Sequence, residues 1–569
     1  MGVKDLLVWV RKTYPTIIKH YPKRFKDPLF RGKRIAIDGT LLTNRYHFAN
    51  QNHEDDQSVG EIIAWYQLIS DMKAQGVKPI AIWDEKGVRD WKAKEAKKRL
   101  KTRATHLARR NHELARSTRL NLLKDAIADF ESLKDEEKDA VRSLWRGTRF
   151  SFTMPSSPLP RTKGTRKALT ATAKVDEGGE GLSEKEERLL ENITSTVDTF
   201  ANLTQAYRSA YRPTSFQHKS GLLSFPSDIS TTGDEQFKGI DGLEETFRQW
   251  TLLDDNGREK MGLEKWREDL ERMDERLENL VPLEGFTETY RQAELTLEEG
   301  EIINSLLSPT SEPSTPDLPS PAQRLEDLLN LQLTVLRTHL KALDIPSPSN
   351  HANCRELLSV MGIPILIAPA PYEAEGLASA LARAGKVDYV GTEDSDVLAY
   401  RAPLLRHLSP ATSVITVIDG EGLRHETKLN EQSFLDFLIL LGTDASENIP
   451  KVGPITAWKL ISAHGTIENI LASNPNLVER LGGPKGVEEW LRTVQAARKV
   501  FTDVPMIDET WDLDGKEVDE REVERYLKEK YNIAIVDADP DADVEEQRNN
   551  AEENEDRFKE IKDKAQGEH

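Results

Sequence analysis

Apolar residues recur along this chain in two rhythms, and the alternation between them predicts its elements. Short, nearly unbroken apolar runs read as buried strands: RIAIDGT (34–40), KPIAIWD (78–84), IPILIA (363–368) and VDYVGT (387–392). Segments with helical spacing lie between them: VGEIIAWYQLISDMKAQ (59–75), stopped by Gly76; NCRELLSVMG (353–362); and YEAEGLASALARAG (372–385), closed by Gly385. VITVID (414–419) reads as an edge strand, and 431–475 as helices interrupted at Gly453-Pro454. Strand–helix–strand order predicts an α/β fold, a mostly parallel sheet flanked by helices.

Between 121 and 345 the rhythm breaks. Residues 155–183, 212–235 and 308–321 are rich in Ser, Pro, Thr and Gly and read as disordered linkers. Three apolar stripes stand among them. They are Leu189, Ile193, Val197, Phe200 and Leu203; then Leu263, Trp266, Leu270, Met273, Leu277 and Leu280; then Leu329, Leu333, Leu336, Leu340 and Leu343. Each predicts a helix whose apolar face packs on a neighbour. The organisation read from the pattern is an N-terminal segment (1–120), an insertion (121–345), a second α/β segment (346–430), an all-α subdomain (431–535) and an acidic disordered tail (536–569). Linkers on either side lead us to expect an insertion that moves independently of the sheet.

Charge sharpens this outline. The 569 residues carry a net charge of −19, which argues against a general polyanion binder. The distribution is uneven, however: 86–119 is strongly basic and reads as a long helix, while 537–568 is strongly acidic. Local patches, not net charge, decide contact with a nucleic-acid backbone. A single cysteine, Cys354, excludes an intramolecular disulfide and a Cys-rich zinc site. No apolar run approaches the roughly 20 residues of a membrane helix, and the start lacks a secretory pattern. We therefore expect an intracellular protein with no membrane contact.

Acids stand where the pattern places strand ends. Asp38 and Asp84 end the first two strands, and Glu393, Asp394 and Asp396 follow the fourth. Glu373 and Glu375 open the helix after the third. An Asp at a strand end often only caps the next helix, but in open α/β sheets the carboxyl ends of strands also border the ligand crevice. Carboxylates gathered there would repel one another unless protonated or neutralised. The ligand set is all hard oxygen, which favours Mg²⁺, or Mn²⁺ as a substitute, over Zn²⁺. The number of acids suits two ions, the usual device for in-line displacement at phosphorus.

These residues also resemble a known family, the structure-specific 5′ nucleases that include flap endonucleases and their xeroderma pigmentosum group G relatives. NCRELLSVMGIPILIAPAPYEAEG followed by GTEDSDVLAYRAPLLRHL resembles the family's internal nuclease motif. MGVKDL, IAIDG and IWD with the basic run after it resemble its N-terminal motif, and LILLGTDASENIPKVGPITAWKLI resembles its helix-hairpin-helix segment. The resemblance covers roughly 1–110 and 350–475. It implies a PIN-like, 5′-3′ exonuclease-type sheet with a helix-hairpin-helix subdomain at 431–535. It further implies that Asp38, Asp84, Glu373 and Glu375 surround one ion, and that Asp394, Asp396 and Asp444, with Glu375 near by, surround the second. Lys92 and Arg99 match the basic pair that steers the scissile phosphate, with a one-residue shift in the alignment. Seven residues apart, the two share a helix face. Gly2 matches the family's processed N-terminus beside the active site.

A turn between two helices can offer backbone N–H groups to duplex phosphates without reading sequence. The family also holds a K⁺ there. Here Lys451 replaces the first hairpin glycine, after Pro450, while Gly453 remains, so Lys451 and Gly453 become candidate DNA contacts. The spacer between the halves is much longer than in flap endonucleases and closer to the group G style. The C-terminus shows no Gln-x-x-aliphatic-x-x-aromatic-aromatic peptide, so a sliding-clamp partner is not expected, whereas the 121–345 insertion offers room for another protein partner. The resemblance implies a Mg²⁺-dependent 5′ endonuclease or exonuclease on flapped or branched DNA, in repair or replication, resident in the nucleus or the mitochondrion. The alternatives are a Holliday-junction resolvase of the same family and a binding scaffold that keeps the fold without catalysis. An actin- or sugar-kinase-like reading of IAIDGT needs a second glycine-rich phosphate loop, which the sequence lacks.

Overall fold

The computed structural model describes residues 2–50, 59–85, 89–135, 263–280, 288–307 and 319–534, with a few isolated residues near 138 and 189. Most of the Ser/Pro-rich linkers, the first apolar stripe beyond Leu189 and the acidic tail lie outside the described residues.

Seven strands form one sheet: β1 (Ile18–Tyr21), β2 (Arg34–Asp38), β3 (Lys78–Asp84), β4 (Ile365–Ala368), β5 (Tyr389–Gly391), β6 (Leu404–Arg406) and β7 (Ile415–Ile418), in the order β1-β7-β6-β5-β2-β3-β4. The run from β6 to β4 is parallel throughout; β7 pairs antiparallel with β6, and β1 antiparallel with β7. The expected α/β class with a mostly parallel sheet is thus what forms. VITVID is not the edge, because β1 covers it. IKHY in β1 has no apolar alternation to announce a strand; pairing with β7 makes it one.

Strand alternation sends successive residues to opposite faces. Ile35, Ile37 and Trp83 join one core with α2 (Gly39–Asn50), α3 (Gly60–Ala74) and α8 (Pro348–Val360). Ala36, Ile80 and Ile82 join the other with α1 (Leu6–Thr13), α9 (Ala374–Arg383) and α11 (Glu431–Leu441). α10 (Gly420–Thr427) leads into α11. The α-helical subdomain continues through α12 (Pro454–His464), α13 (Ile467–Ser473), α14 (Pro475–Arg480) and α15 (Gly483–Thr502), and the chain returns to the first core with α16 (Glu520–Tyr531).

The basic run forms α4 (Ala93–Glu131), a 39-residue helix that extends past residue 120. Among the described residues, three helices flank it: α5 (Leu263–Leu280), α6 (Tyr290–Leu307) and α7 (Pro321–Leu343). Their contact carries buried ion pairs. Arg103 forks onto Asp274 at 2.6 and 2.7 Å and donates to the Leu343 carbonyl at 2.7 Å. Arg119 forks onto Glu299 at 2.7 and 2.9 Å, and Arg116 donates to the Gln292 carbonyl at 3.0 Å and the Thr296 hydroxyl at 2.6 Å. This part of the insertion is therefore joined to α4, contrary to the independence expected of it. The packed face of α7 also differs from the predicted stripe. Leu333 and Leu340 are exposed, while Leu325, Leu328, Gln332, Leu336, His339 and Leu343 are buried. Counting apolar residues alone rotates the face, because Gln332 is buried by donating to the Glu113 carbonyl at 2.8 Å.

Candidate active site

β2 lies between β3 and β5, so the acids that end these strands emerge side by side. Asp38, ending β2, is almost wholly buried; it accepts from the Leu41 backbone N–H at 2.9 Å and from the Thr392 hydroxyl at 3.0 Å. Asp84, ending β3, accepts from the Ala374 N–H at 2.8 Å and so caps α9. Glu373 is the N-cap residue of α9 and Glu375 lies in its first turn, where the helix dipole favours negative charge. Beyond β5, Asp394 accepts from the Asp396 N–H at 2.9 Å and starts a single 3-10 turn that buries both side chains. Asp444 follows α11.

Electrostatics shows that these acids share one pocket. Burial first, then Asp84, pushes Asp38 up to about 8. Burial, against the pull of Lys92, pushes Asp444 up to about 7. Glu375 and Asp396 are held well above the usual carboxylate range, by burial and then by Glu373 and Asp394 respectively. Asp394 is raised as well, chiefly by burial. Like charges packed this closely resist ionisation together.

Lys92, at the N-cap of α4, reaches into this set. Its ammonium lies 2.5 Å from Glu373 Oε1 and 3.8 Å from Asp444 Oδ2. Arg99 lies one face-repeat further along α4, is half exposed, and pairs with Glu95 rather than with the strand-end acids. Two residues that the sequence reading passed over also belong here. Arg89 stands 3.7 Å from Asp84 and 3.8 Å from Glu373. Glu95 stands between Lys92 and Arg99, and those two cations hold its carboxyl below the usual range although burial alone would raise it. Glu95 is three residues after Lys92 and four before Arg99, the spacing of helix neighbours, so its place was readable. Arg89 sits in the irregular turn before α4, where no period points to it.

A cavity of about 1040 Å³ adjoins this pocket, lined among others by Gly2, Phe48, Arg99, His106, Arg406 and Asp444. Gly2 has φ 87°, and a Cβ there would overlap the Asp394 carboxylate, so the N-terminal segment approaches the acids only as glycine. Lys451 and Gly453 stand apart, in the turn between α11 and α12. Lys451 adopts φ 64°, a left-handed conformation that glycine takes more easily. Gly453 caps α12 with ordinary backbone angles and open space around it.

The donor set is carboxylate oxygen alone, and Asp396 Oδ1 is buried without a hydrogen-bond partner. Both features suit a hard divalent cation. Among the described residues, no three such groups stand close enough to form a ready ion cage; the Lys92 ammonium is lodged among them.

Residues 1–106 match the XPG N-terminal domain and residues 362–444 the XPG I-region. Among curated proteins the chain is similar to flap endonuclease 1 of Neurospora crassa, 40% identical over 179 residues that cover 29% of this chain and 43% of that one. It is also similar to flap endonuclease 1 of Komagataella phaffii, 35% identical over 188 residues covering 32% and 48%. The chain thus spans less than half the length of these relatives. The solved flap endonuclease-1 of Methanococcus jannaschii superposes with a TM-score of 0.38 at 14% identity, over 91% of this chain and 92% of that one. A superposition that loose supports neither a fold nor a function.

Proposed function

We propose that this chain, which carries the XPG N-terminal domain and the XPG I-region, is a Mg²⁺-dependent, structure-specific 5′ nuclease that hydrolyses phosphodiester bonds in flapped or branched DNA. One observation supports this most: acids from both matched segments, Asp38 and Asp84 from the first and Glu373, Glu375, Asp394, Asp396 and Asp444 from the second, gather at one end of the sheet beside an open cavity, with Lys92 against Glu373 and Asp444.

Asp38, Asp84, Glu373 and Glu375 would hold one ion, and Asp394, Asp396 and Asp444 the second; Mn²⁺ would substitute for Mg²⁺. Bound there, two divalent ions supply a nucleophile at neutral pH and stabilise charge on the phosphate oxygens. The protein's own groups do the positioning. Thr392 and the Leu41 N–H fix the Asp38 carboxylate, and the Ala374 N–H fixes that of Asp84. Lys92, from among the acids, and Arg99, from the cavity wall, would present positive charge to a phosphate entering there. Lys451, on its exposed turn, and the backbone up to Gly453 would meet duplex phosphates away from the chemistry; K⁺ in that turn belongs to the same proposal. The α4–α7 assembly is the natural place for a protein partner, and the nucleus, or the mitochondrion, the natural residence.

The direct test is a panel of end-labelled flap, bubble, four-way-junction and linear duplex DNAs incubated with the full chain in Mg²⁺ and in chelator. Cleavage of one branched substrate in Mg²⁺ alone, leaving a 5′-phosphate on the downstream product, is the expected result. Stable binding of branched DNA with no cleavage in either Mg²⁺ or Mn²⁺ would favour a scaffold.

A further inference from the structure

Lys92 occupies a position with two conflicting demands on it. Its ammonium is 2.5 Å from Glu373, 3.8 Å from Asp444 and 3.9 Å from Glu95, and lies over the Trp91 ring at 5.1 Å from the centroid. Glu373 belongs to one proposed ion group and Asp444 to the other, so a single ammonium stands between both. A cation there neutralises the acids, and for the same reason repels a divalent ion approaching them. The same group is proposed to meet the scissile phosphate. It cannot satisfy the acids and the phosphate at full strength at once.

Building on the nuclease reading, we infer that Lys92 is the resident counter-cation of the carboxylate pocket, and that its withdrawal toward a DNA phosphate opens the pocket to divalent ions. DNA binding and ion binding are then coupled through one side chain. The geometry provides the means. The Lys92 backbone is fixed at the start of α4, and its four-carbon stem is flexible. Glu95, anchored by Arg99 on the next turn, offers the ammonium a berth on the cavity side. Coupling of this kind is reciprocal: whatever factor DNA adds to ion affinity, ions add to DNA affinity.

The test is a Mn²⁺ titration of the full chain by calorimetry and by the EPR signal of free Mn²⁺, without DNA and with a saturating flapped duplex whose junction carries hydrolysis-resistant phosphorothioate linkages. In the wild type, DNA should tighten Mn²⁺ binding by about tenfold or more, within the usual range of coupling between sites. Lys92→Gln should bind Mn²⁺ more tightly than the wild type without DNA, and DNA should add little to it. In chelator the variant should melt below the wild type, having lost its counter-cation, and gain more on addition of Mn²⁺. Unchanged DNA-free affinity in Lys92→Gln overturns the inference. So does a wild type whose Mn²⁺ affinity ignores DNA, a result that requires no variant to fold. The absence of saturable Mn²⁺ uptake by the wild type under either condition overturns the nuclease reading itself.

Discussion

Glu373 is the most contested side chain in the pocket: Lys92 and Arg89 approach it from two sides, and Asp84 caps the helix that it begins. Changes at single residues here should separate chemistry from binding. Asp84→Ala and Asp394→Ala should each lower single-turnover cleavage by at least on the order of 10²–10³-fold, with duplex affinity by fluorescence anisotropy nearly unchanged, because phosphate contacts elsewhere carry binding. Cleavage by either variant at the wild-type rate would remove that acid from the site. Glu95→Gln should slow single-turnover cleavage by about tenfold, near 1.4 kcal/mol, without weakening binding, since it acts by holding Lys92 and Arg99. The raised carboxyls also set a pH dependence. Asp38 (about 8) and Asp444 (about 7) keep their protons in the folded, ion-free chain at pH values where the unfolded chain has lost them. Between the ordinary Asp value and those two, the folded state binds more protons, so stability falls as pH rises. Thermal melts in chelator should therefore drop from pH 5 to pH 8, and the gain from Mg²⁺ should grow over the same interval.

At the scale of elements, the arm built on α4 is held by charges with nowhere else to go. Arg116 and Arg119 are among the largest fully or nearly fully buried side chains of the molecule. Removing one partner, as in Glu299→Leu, should destabilise by about 3–5 kcal/mol, because Arg119 would stay buried and unneutralised. Replacing both, Arg119→Met with Glu299→Leu, should recover most of that loss in denaturant melts. Deleting 151–322 removes α5 and α6 together, so α4 should then be cut readily by trypsin while the sheet melts as before. The elements that carry the acids were readable because RIAID and KPIAIWD are buried on both faces and announce themselves as apolar runs. β6, three residues long, was not, since only its partners β5 and β7 define it. The face of α7 was misread for a related reason: Gln332 and His339 are buried by hydrogen bonds that a pattern of apolar positions does not contain.

Across the whole molecule, the candidate site depends on which strands become neighbours. Sequence could say that Asp38, Asp84 and Asp394 end strands; it could not say that β2 would sit between β3 and β5. The resemblance implied that these acids share a site, and the structure draws the strand order that brings them together. Lys92 illustrates the remaining gap, for spacing placed it on a face with Arg99, whereas the structure parts them, one among the strand-end acids and the other at the cavity wall. The sheet order has a further consequence, for the making of the protein. Ile35 pairs with Tyr389, and β2 lies in the interior of a sheet whose other flank is specified about 350 residues downstream. At 5–20 residues per second, a ribosome needs about 20–70 s between the two. For that time β2 has one open edge, apolar on both faces. Such an edge invites pairing with other chains, so a newborn chain halted before residue 389 should bind holdase chaperones and aggregate when released, while the finished chain should not.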